Sequence, residues 1–377
     1  MPDPAPKPLA GLRVVELARV LAGPWCGQLL ADLGADVVKV ERPGAGDDTR
    51  AWGPPFVTDA DGTNLGAAYY HSCNRGKRSV AVDIATTAGQ AEVRALIGGA
   101  DVVIENYKVG GLAKYGLDPA TLRAAFPRLI VCSITGFGQT GPYAHRAGYD
   151  FIVQAMSGFM SLTGEPDGPP QKAGIAYADI FTGMYATVGI LAALRRRDVT
   201  GVGAHVDMAL LDSQVAVLAN QAANYLASGV SPRRMGNGHA NVVPYQAFAT
   251  ADGQLVVAVG NDGQYRKLCM ILGEPQWADD PRFANNAARL ANRAELIPLL
   301  AAKIAGWDAQ PLSLALEAEG VPAGPINDLA GVFADPQVIA RGMRFRPEGA
   351  EIDGVASPIV IDGERMVAPT GAPPLAS

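Results

Sequence analysis

One carboxylate, Asp179, stands where an aspartate could act as a nucleophile. A segment of small residues leads into it, a long apolar run follows to Leu194, and three arginines (195–197) close the run. The apolar residues predict a buried helix of about five turns that begins at Asp179. An aspartate at or next to the N-cap is typical of plain helix capping. The same position could hold an ionised carboxylate that attacks an acyl carbon, so both interpretations stand at this point.

Several catalytic signatures are missing from the chain. No GxGxxG follows a predicted strand, and neither GxxxxGK[ST] nor GxSxG occurs. Their absence disfavours nicotinamide-dependent dehydrogenases, P-loop NTPases and serine hydrolases. The four cysteines are far apart and the four histidines lack ligand spacing. The sequence therefore predicts neither a metal site nor a disulfide framework.

The composition is that of a folded protein with large cores. Of 377 residues, 49% are hydrophobic and 18% are charged, and the net charge is −6. This charge argues against nonspecific binding of nucleic acid. Residues 1–8 lack the basic and apolar regions of a signal peptide, and we expect no run long enough to span a bilayer. The expected location is the cytoplasm.

The elements that must position Asp179 alternate between strands and helices. The predicted strands are 12–17, 35–41, 78–84, 101–105 and 129–134. The predicted helices are 24–34, 87–97 and 119–125. This alternation is typical of a parallel sheet covered by helices. The long loop 42–55, inside such a domain, indicates a functional segment.

The second half of the chain changes character after a strand at 204–208 and a long helix that ends near Gly229. A polar, glycine-rich crossover covers 231–243, and 244–250 and 254–260 alternate like a hairpin around Ala251–Gly253. The stretch 281–320 is predicted to be helical, with breaks at Trp307 and Pro311. We therefore expect a large domain formed by 1–224 and completed by 326–377. A smaller domain is expected at 225–325.

Long motifs in a fixed order give the chain a family resemblance. They are Arg19–Pro24, Asp32–Arg42, Asn74–Ser79, Glu105–Tyr107, Ser133–Pro142 and Ala178–Gly183. On these motifs the sequence resembles the class III CoA-transferases, which include formyl-CoA transferase and the carnitine CoA-transferases. Residues 43–56, 146–150 and 243–248 look most like the succinate–hydroxymethylglutarate (glutarate) CoA-transferase branch.

The resemblance implies a covalent role for Asp179. In this family the matching aspartate attacks an acyl-CoA, forms a mixed anhydride, and then carries CoA as an aspartyl thioester that the acceptor acid resolves. The expected donor is succinyl-CoA, and the acceptor is a small carboxylic or dicarboxylic acid. CoA is then a substrate, and no permanently bound cofactor is expected. The alternative is a 2-methylacyl-CoA racemase, which uses a histidine where this chain has Tyr149.

The resemblance also implies binding residues. The expected CoA contacts are Arg42, Asn74, Arg75, Lys77, Asn106, Tyr107 and Lys114. Donors to the substrate and its oxyanion are expected from Arg19, Gly260, Gly263 and Gln264. An arginine for the free carboxylate of a dicarboxylate is sought among Arg19, Arg50 and Arg146.

The resemblance also implies a fold and an oligomeric state. The class is α/β, with a large doubly wound, Rossmann-like domain and a smaller α+β domain. Two chains are expected to wrap through each other as an interlocked homodimer. No partner other than the second chain and the small-molecule substrates is expected.

Overall fold

The structure is a computed structural model, and it describes residues 6–376. The prediction about a signal peptide rests on residues 1–8, most of which lie outside the described part. Contacts between Cα atoms divide the chain into two compact units. The first unit takes in the described residues up to 159, together with 172–219 and those from 336 onward. The second takes in 160–171 and 220–335.

A six-stranded parallel sheet forms the centre of the first unit. Its strands are β1 (Arg13–Glu16), β2 (Asp36–Glu41), β3 (Lys77–Ala81), β4 (Val102–Glu105), β5 (Ile130–Thr135) and β6 (Ala204–Ala209). They lie side by side in the order β3-β2-β1-β4-β5-β6. The predicted parallel α/β sheet is confirmed. This order reverses direction between β1 and β4, which is where doubly wound sheets open a crevice for ligands.

Alternating side chains along the strands build a core on each face of the sheet. Val14 and Val102 belong to one core, while their neighbours Val15 and Val103 belong to the other. The helices that supply this unit are α1 (Ala22–Asp32), α2 (Thr87–Gly98), α3 (Pro119–Ala125), α4 (Asp150–Met156), α5 (Tyr177–Thr200) and α6 (Leu210–Ala216). Helices α1 and α5 cover the first face, and α2 and α3 cover the second. This arrangement follows from the period of two in each strand.

Helix α5 is the longest element, with 24 residues. Among residues 6–376 it is the one helix that is long and apolar enough to cross a membrane by length and composition. The expectation that no apolar run is long enough to span a bilayer was therefore wrong. Ala178, Ala186 and Ile190 are fully buried in the core against the sheet. This packing identifies α5 as a core helix of the α/β unit.

Three smaller ladders and short helices complete the first unit. An antiparallel pair, Phe56–Thr58 with Asn64–Ala67, lies in the loop after β2 and is followed by the short helix Ala68–His71. Near the C-terminus, a helix at Pro336–Ala340 precedes two short ladders. These ladders pair Arg344–Phe345 with Gly354–Val355, and Val360–Ile361 with Glu364–Arg365.

The second unit has its own sheet and core. Its strands β7 (Tyr245–Ala249), β8 (Gln254–Ala258) and β9 (Ala323–Pro325) are antiparallel. Its helices are α7 (Ala219–Ser228), α8 (Asp262–Ile271), α9 (Asn286–Ala291), α10 (Arg293–Ile304), α11 (Ala309–Ala318) and the short Leu329–Ala334. The predicted hairpin is confirmed. The expected domain limits of 225–325 fall inside this unit.

Two predicted helices differ from the structure. The long helix after β6 is divided into α6 and α7, because Ala219 takes a positive φ of 46° that no continuous α-helix allows. The helical stretch 281–320 does break at Trp307, between α10 and α11. Pro311 does not break it, because it lies in the first turn of α11, where its missing N–H has no helical partner to lose.

Candidate active site

A cavity of about 640 Å³ opens at the carboxyl ends of β1, β4 and β5. The loops after these strands line it with Arg19, Asn106, Arg146 and Tyr149, and Asp179 completes the lining from the first turn of α5. A second cavity, of about 290 Å³, lies at the ends of β1, β2 and β3 and shares Arg19 with the first. Both therefore occupy the edge of the sheet where the strand order reverses.

Asp179 presents its carboxylate to the larger cavity. Among the described residues, none makes a hydrogen bond or an ion pair with this side chain. Burial, and after it the charge of Asp150, raises the pKa of Asp179 to about 7. The expectation that a helix N-terminus keeps Asp179 ionised is therefore corrected. With a pKa near this value, a substantial fraction of Asp179 is protonated near neutral pH.

Asp150, rather than Asp179, caps helix α5. The helix begins at Tyr177, so Asp179 lies two residues inside it and cannot serve as the N-cap. The N–H of Ala178 donates to Asp150 Oδ1 over 2.8 Å, and Gln154 Nε2 donates to Asp150 Oδ2 over 2.7 Å. An acceptor from α4 thus satisfies an orphan amide of α5. Asp150 lies in the family motif at 146–150, and the sequence alone did not reveal this capping role.

Tyr69 is a second residue that sequence analysis missed. It belongs to the short helix Ala68–His71, and its ring packs edge-on against Trp52 at 5.4 Å between centroids. Burial, and then the charge of Asp179, raises the pKa of Tyr69 to about 12. The phenol therefore stays protonated and lies within electrostatic reach of Asp179. The sequence offered no signal for it beyond an aromatic residue ahead of the Asn74–Ser79 motif.

Three of the expected CoA contacts are buried inside the first unit. Lys77 Nζ donates to Glu16, to Asn74 and to the carbonyl of Pro24, all within 3.0 Å. Arg75 makes a bidentate pair with Asp32, at 2.8 and 2.6 Å. Asn74 also donates to the carbonyl of Tyr70. Because these polar groups are engaged within the protein, we do not propose the three side chains as CoA contacts.

The other four expected contacts line the two cavities. Arg42 is exposed on the smaller cavity, and Lys114 is exposed on the larger one. Tyr107 lines both cavities. Asn106 lines the larger cavity, but its amide is hydrogen-bonded to the backbone of Arg19. Two exposed cations and one aromatic ring thus remain available to an anionic ligand.

The three arginines considered for a distal carboxylate have different surroundings. Arg50 is engaged by both oxygens of Glu41, by the hydroxyl of Tyr70 and by a backbone carbonyl. Arg19 lines the cavity and pairs with the exposed Asp48. Arg146 lines the same cavity as Asp179 and packs over aromatic rings, and no carboxylate among residues 6–376 pairs with it. Arg19 and Arg146 remain as candidates.

The expected oxyanion turn lies in the second unit and is an N-cap. Gly260 N–H donates to Gln264 Oε1 over 2.7 Å, and Gln264 N–H donates to Asn261 Oδ1 over 2.9 Å. Gly263 follows Asn261 in the first turn of α8. The amides of Gly260 and Gln264 are therefore occupied in this arrangement, which is the pattern of helix capping.

The described residues include no group of three or more His, Cys, Asp or Glu side chains that could hold a metal ion. All four cysteines are buried, and no disulfide joins them. Burial raises the pKa of Cys26 and Cys73 to about 12. These thiols are therefore unsuited to act as thiolate nucleophiles.

Comparison with known proteins identifies the class of this chain. Residues 9–377 match the family model described as CoA-transferase family III. The chain belongs to this family, and it is a CoA-transferase.

The chain is similar to several individual members of this family. The chain is 60% identical to a succinate–glutarate CoA-transferase of Agrobacterium fabrum over 364 residues, which cover 96% of this chain and 91% of that one. It is 47% identical to a succinyl-CoA:glutarate CoA-transferase of Mus musculus, covering 89% and 76%. A crystal structure of a CAIB/BAIF family protein from Brucella suis superimposes with a TM-score of 0.88 at 56% identity, covering 98% and 97%.

Proposed function

We propose that this protein transfers CoA from succinyl-CoA to glutarate or a similar small dicarboxylic acid, with Asp179 as the nucleophile. The observation that carries the proposal is the carboxylate of Asp179, which lines a cavity at the carboxyl edge of the sheet and pairs with none of the described residues. Membership of the family and the names of the relatives above support the reaction class and the choice of substrates.

The proposed reaction proceeds in balanced acyl exchanges. A carboxylate oxygen of Asp179 attacks the thioester carbon of succinyl-CoA, and the C–S bond breaks to give a succinyl–aspartyl anhydride and CoA thiolate. The thiolate attacks the aspartyl carbon, which releases succinate and leaves an aspartyl-CoA thioester. Glutarate attacks this thioester, and the thiolate then attacks the glutaryl carbon of the new anhydride. Glutaryl-CoA leaves, and the Asp179 carboxylate is restored.

The surroundings of Asp179 suit this sequence. Burial, and after it the charge of Asp150, makes the carboxylate of Asp179 more basic and so more nucleophilic. The charge of Asp179 acts on the phenol of Tyr69, which we assign as a protonated donor to the developing oxyanion. Arg42, Lys114 and Tyr107 are the proposed contacts for the phosphates and the adenine of CoA. A free carboxylate on the acyl group is assigned to Arg19 or Arg146.

The racemase alternative is not favoured. Its proton-shuttling histidine would stand where Tyr149 lines the cavity, and a phenol does not exchange protons near neutral pH as an imidazole does. The names of the relatives likewise specify transfer.

An interlocked homodimer and a cytoplasmic location also belong to the proposal. One face of α5 exposes Met184, Tyr185 and Val188, at 46%, 43% and 62% of their surface. A core helix with such an apolar face is consistent with burial by a second chain.

Replacement of Asp179 by alanine tests the proposal. We expect Asp179→Ala to lose at least about 99.9% of the transfer from succinyl-CoA to glutarate, because the covalent step has no substitute. Binding of CoA, measured by calorimetry, should change less than about threefold, because the proposed CoA contacts lie on other loops. Retention of more than a few per cent of the transferase activity would contradict the role of Asp179.

A further inference from the structure

The turn between β1 and α1 has a strained backbone at the junction of the two cavities. Val20 has a φ of 73°, and it is one of three non-glycine residues with positive φ in the part of the chain that the structure describes. For a β-branched residue this conformation is a true outlier, and it persists only where surrounding contacts enforce it. Val20 lines the larger cavity. The strain therefore lies at the ligand site.

Side chains from three other segments hold four consecutive backbone groups of this turn. Lys39 Nζ donates to the carbonyl of Ala18 over 2.9 Å. The amide of Asn106 accepts from Arg19 N–H over 2.9 Å and donates to the Arg19 carbonyl over 2.7 Å. Asp47 accepts from Val20 N–H at 3.2 and 3.3 Å. Together these hydrogen bonds fix the backbone conformation from Ala18 to Val20.

These three side chains are themselves firmly placed. Lys39 and Asp47 are buried, and they pair with each other over 2.9 Å. Lys39 also pairs with the buried Glu16 over 2.9 Å, and Asp47 accepts from the backbone and the hydroxyl of Thr49. Asn106 stands directly after β4, at the edge where the strand order reverses. The turn is therefore anchored to the ends of β2 and β4.

The Arg19 side chain is the part of this turn that reaches solvent. It is 51% exposed, lines both cavities, and pairs with Asp48, a side chain that is itself 37% exposed. A weak surface pair of this kind exchanges readily for an anionic ligand. We propose that Asn106, Asp47 and Lys39 are positioning residues that hold the strained Ala18–Val20 turn and so present the Arg19 guanidinium to an anionic oxygen of the acyl-CoA. This inference relies on the proposed function for one point, the identity of the ligand.

The test is a double-mutant cycle read as the Kd for succinyl-CoA, in an Asp179→Ala background so that no turnover occurs. We expect Arg19→Ala to raise Kd on the order of a hundredfold, since a charge-assisted contact is lost. Asn106→Ala should raise Kd about tenfold, by misplacing Arg19. The double variant should bind no more weakly than Arg19→Ala alone, because Asn106 acts through Arg19.

Two controls separate positioning from general damage. Asn286 in the second unit makes a matched pair of bonds, accepting from Val243 N–H and donating to the carbonyl of Asn241. Asn286→Ala should lower the melting temperature as much as Asn106→Ala and leave Kd unchanged. Val20→Gly, added to Asn106→Ala, should recover part of the lost affinity, because glycine takes a positive φ without steric cost. It also supplies a folded variant if Asn106→Ala alone is unstable.

The ligand oxygen is identified in the same experiment. If Arg19→Ala weakens succinyl-CoA but not butyryl-CoA, Arg19 binds the distal carboxylate. If both weaken equally, Arg19 binds a CoA phosphate, and either result supports the proposal. An unchanged Kd in Arg19→Ala, losses that multiply in the double variant, or no recovery with Val20→Gly would overturn it. None of these readouts depends on Asp179, so failure of the proposed nucleophile is seen separately in the transfer assay.

Discussion

Asp179 is the nucleophile of the proposed reaction only when its carboxyl group is ionised, and its surroundings oppose ionisation. Burial and the neighbouring charge of Asp150 raise its pKa to about 7. The benefit is a more basic oxygen than an exposed aspartate offers. The consequence is that protons compete with the acyl donor in the physiological range.

The pH profile of kcat/KM for succinyl-CoA should show this competition. Activity should fall as pH decreases through about 7, because protonation removes the nucleophile. Asp150→Asn should shift this acidic limb of the profile to lower pH, because it removes the like charge beside Asp179. The asparagine keeps an oxygen that can accept from Ala178 N–H. The measurement is a pH series on both enzymes. A limb at the same pH in both would show that Asp150 does not act on the ionisation of Asp179.

At the residue scale the sequence indicated some groups and misplaced others. Asp179 stood out because one acid precedes a long apolar run and lies inside a family motif. Asn74, Arg75 and Lys77 were expected to contact CoA because they match family positions and because basic side chains suit phosphate. Their partners lie far away in the chain, as with Asp32, which is 43 residues before Arg75. No local pattern reveals such pairs.

Buried ion pairs bind the elements beneath the site to one another. Lys77 at the start of β3 contacts Glu16 at the end of β1 and the carbonyl of Pro24 in α1. Lys39 on β2 shares the same Glu16. Three strands and a helix thus depend on one cluster in which every charge is desolvated. Loss of one partner there leaves an uncompensated charge.

Lys77→Met should therefore weaken folding rather than binding. We expect the free energy of unfolding in urea to fall by about 3 kcal/mol, because Glu16 loses one of its two buried cations. Arg78→Met is the matched control. It breaks the exposed pair with Asp36, which contributes less than about 1 kcal/mol. A Lys77→Met protein as stable as Arg78→Met, with weakened CoA binding, would return Lys77 to the set of CoA contacts.

At the element scale, periodicity predicted most of what forms. The alternation of strands and helices up to residue 135 placed five strands of the large sheet, because each has the short apolar pattern of a buried parallel strand. The division between α6 and α7 was not predicted. Ala219 takes a positive φ at this point, and no glycine or proline there indicates that the helix breaks.

At the scale of the whole molecule, the chain follows a path that local sequence does not reveal. Residues 160–171 group with 220–335, and residues from 336 onward group with the first unit. Such groupings come from contacts between segments far apart in the chain. The predicted division into a large and a small domain reflects composition. The grouping of residues 160–171 with the second unit has no signal in the composition.

The choice of donor is a property of the complete site. Succinyl-CoA should exceed butyryl-CoA in kcat/KM by about 30-fold or more, since a charge-assisted contact to the distal carboxylate contributes at least about 2 kcal/mol. Arg19→Met and Arg146→Met should show which arginine is responsible, because the ratio collapses in that variant alone. Equal kcat/KM for the two donors in the unmodified enzyme would remove the dicarboxylate assignment.

The account turns on a covalent bond between Asp179 and the transferred group. The most direct measurement is to incubate the enzyme with succinyl-CoA, add hydroxylamine, and map the modified acid by peptide mass, with Asp179→Ala as the control. Hydroxylamine converts an aspartyl anhydride or thioester into an aspartyl hydroxamate. We predict a hydroxamate at Asp179 that requires succinyl-CoA and is absent at every acid of the control. A modification at another acid, or none at Asp179 while transfer proceeds, would contradict the mechanism.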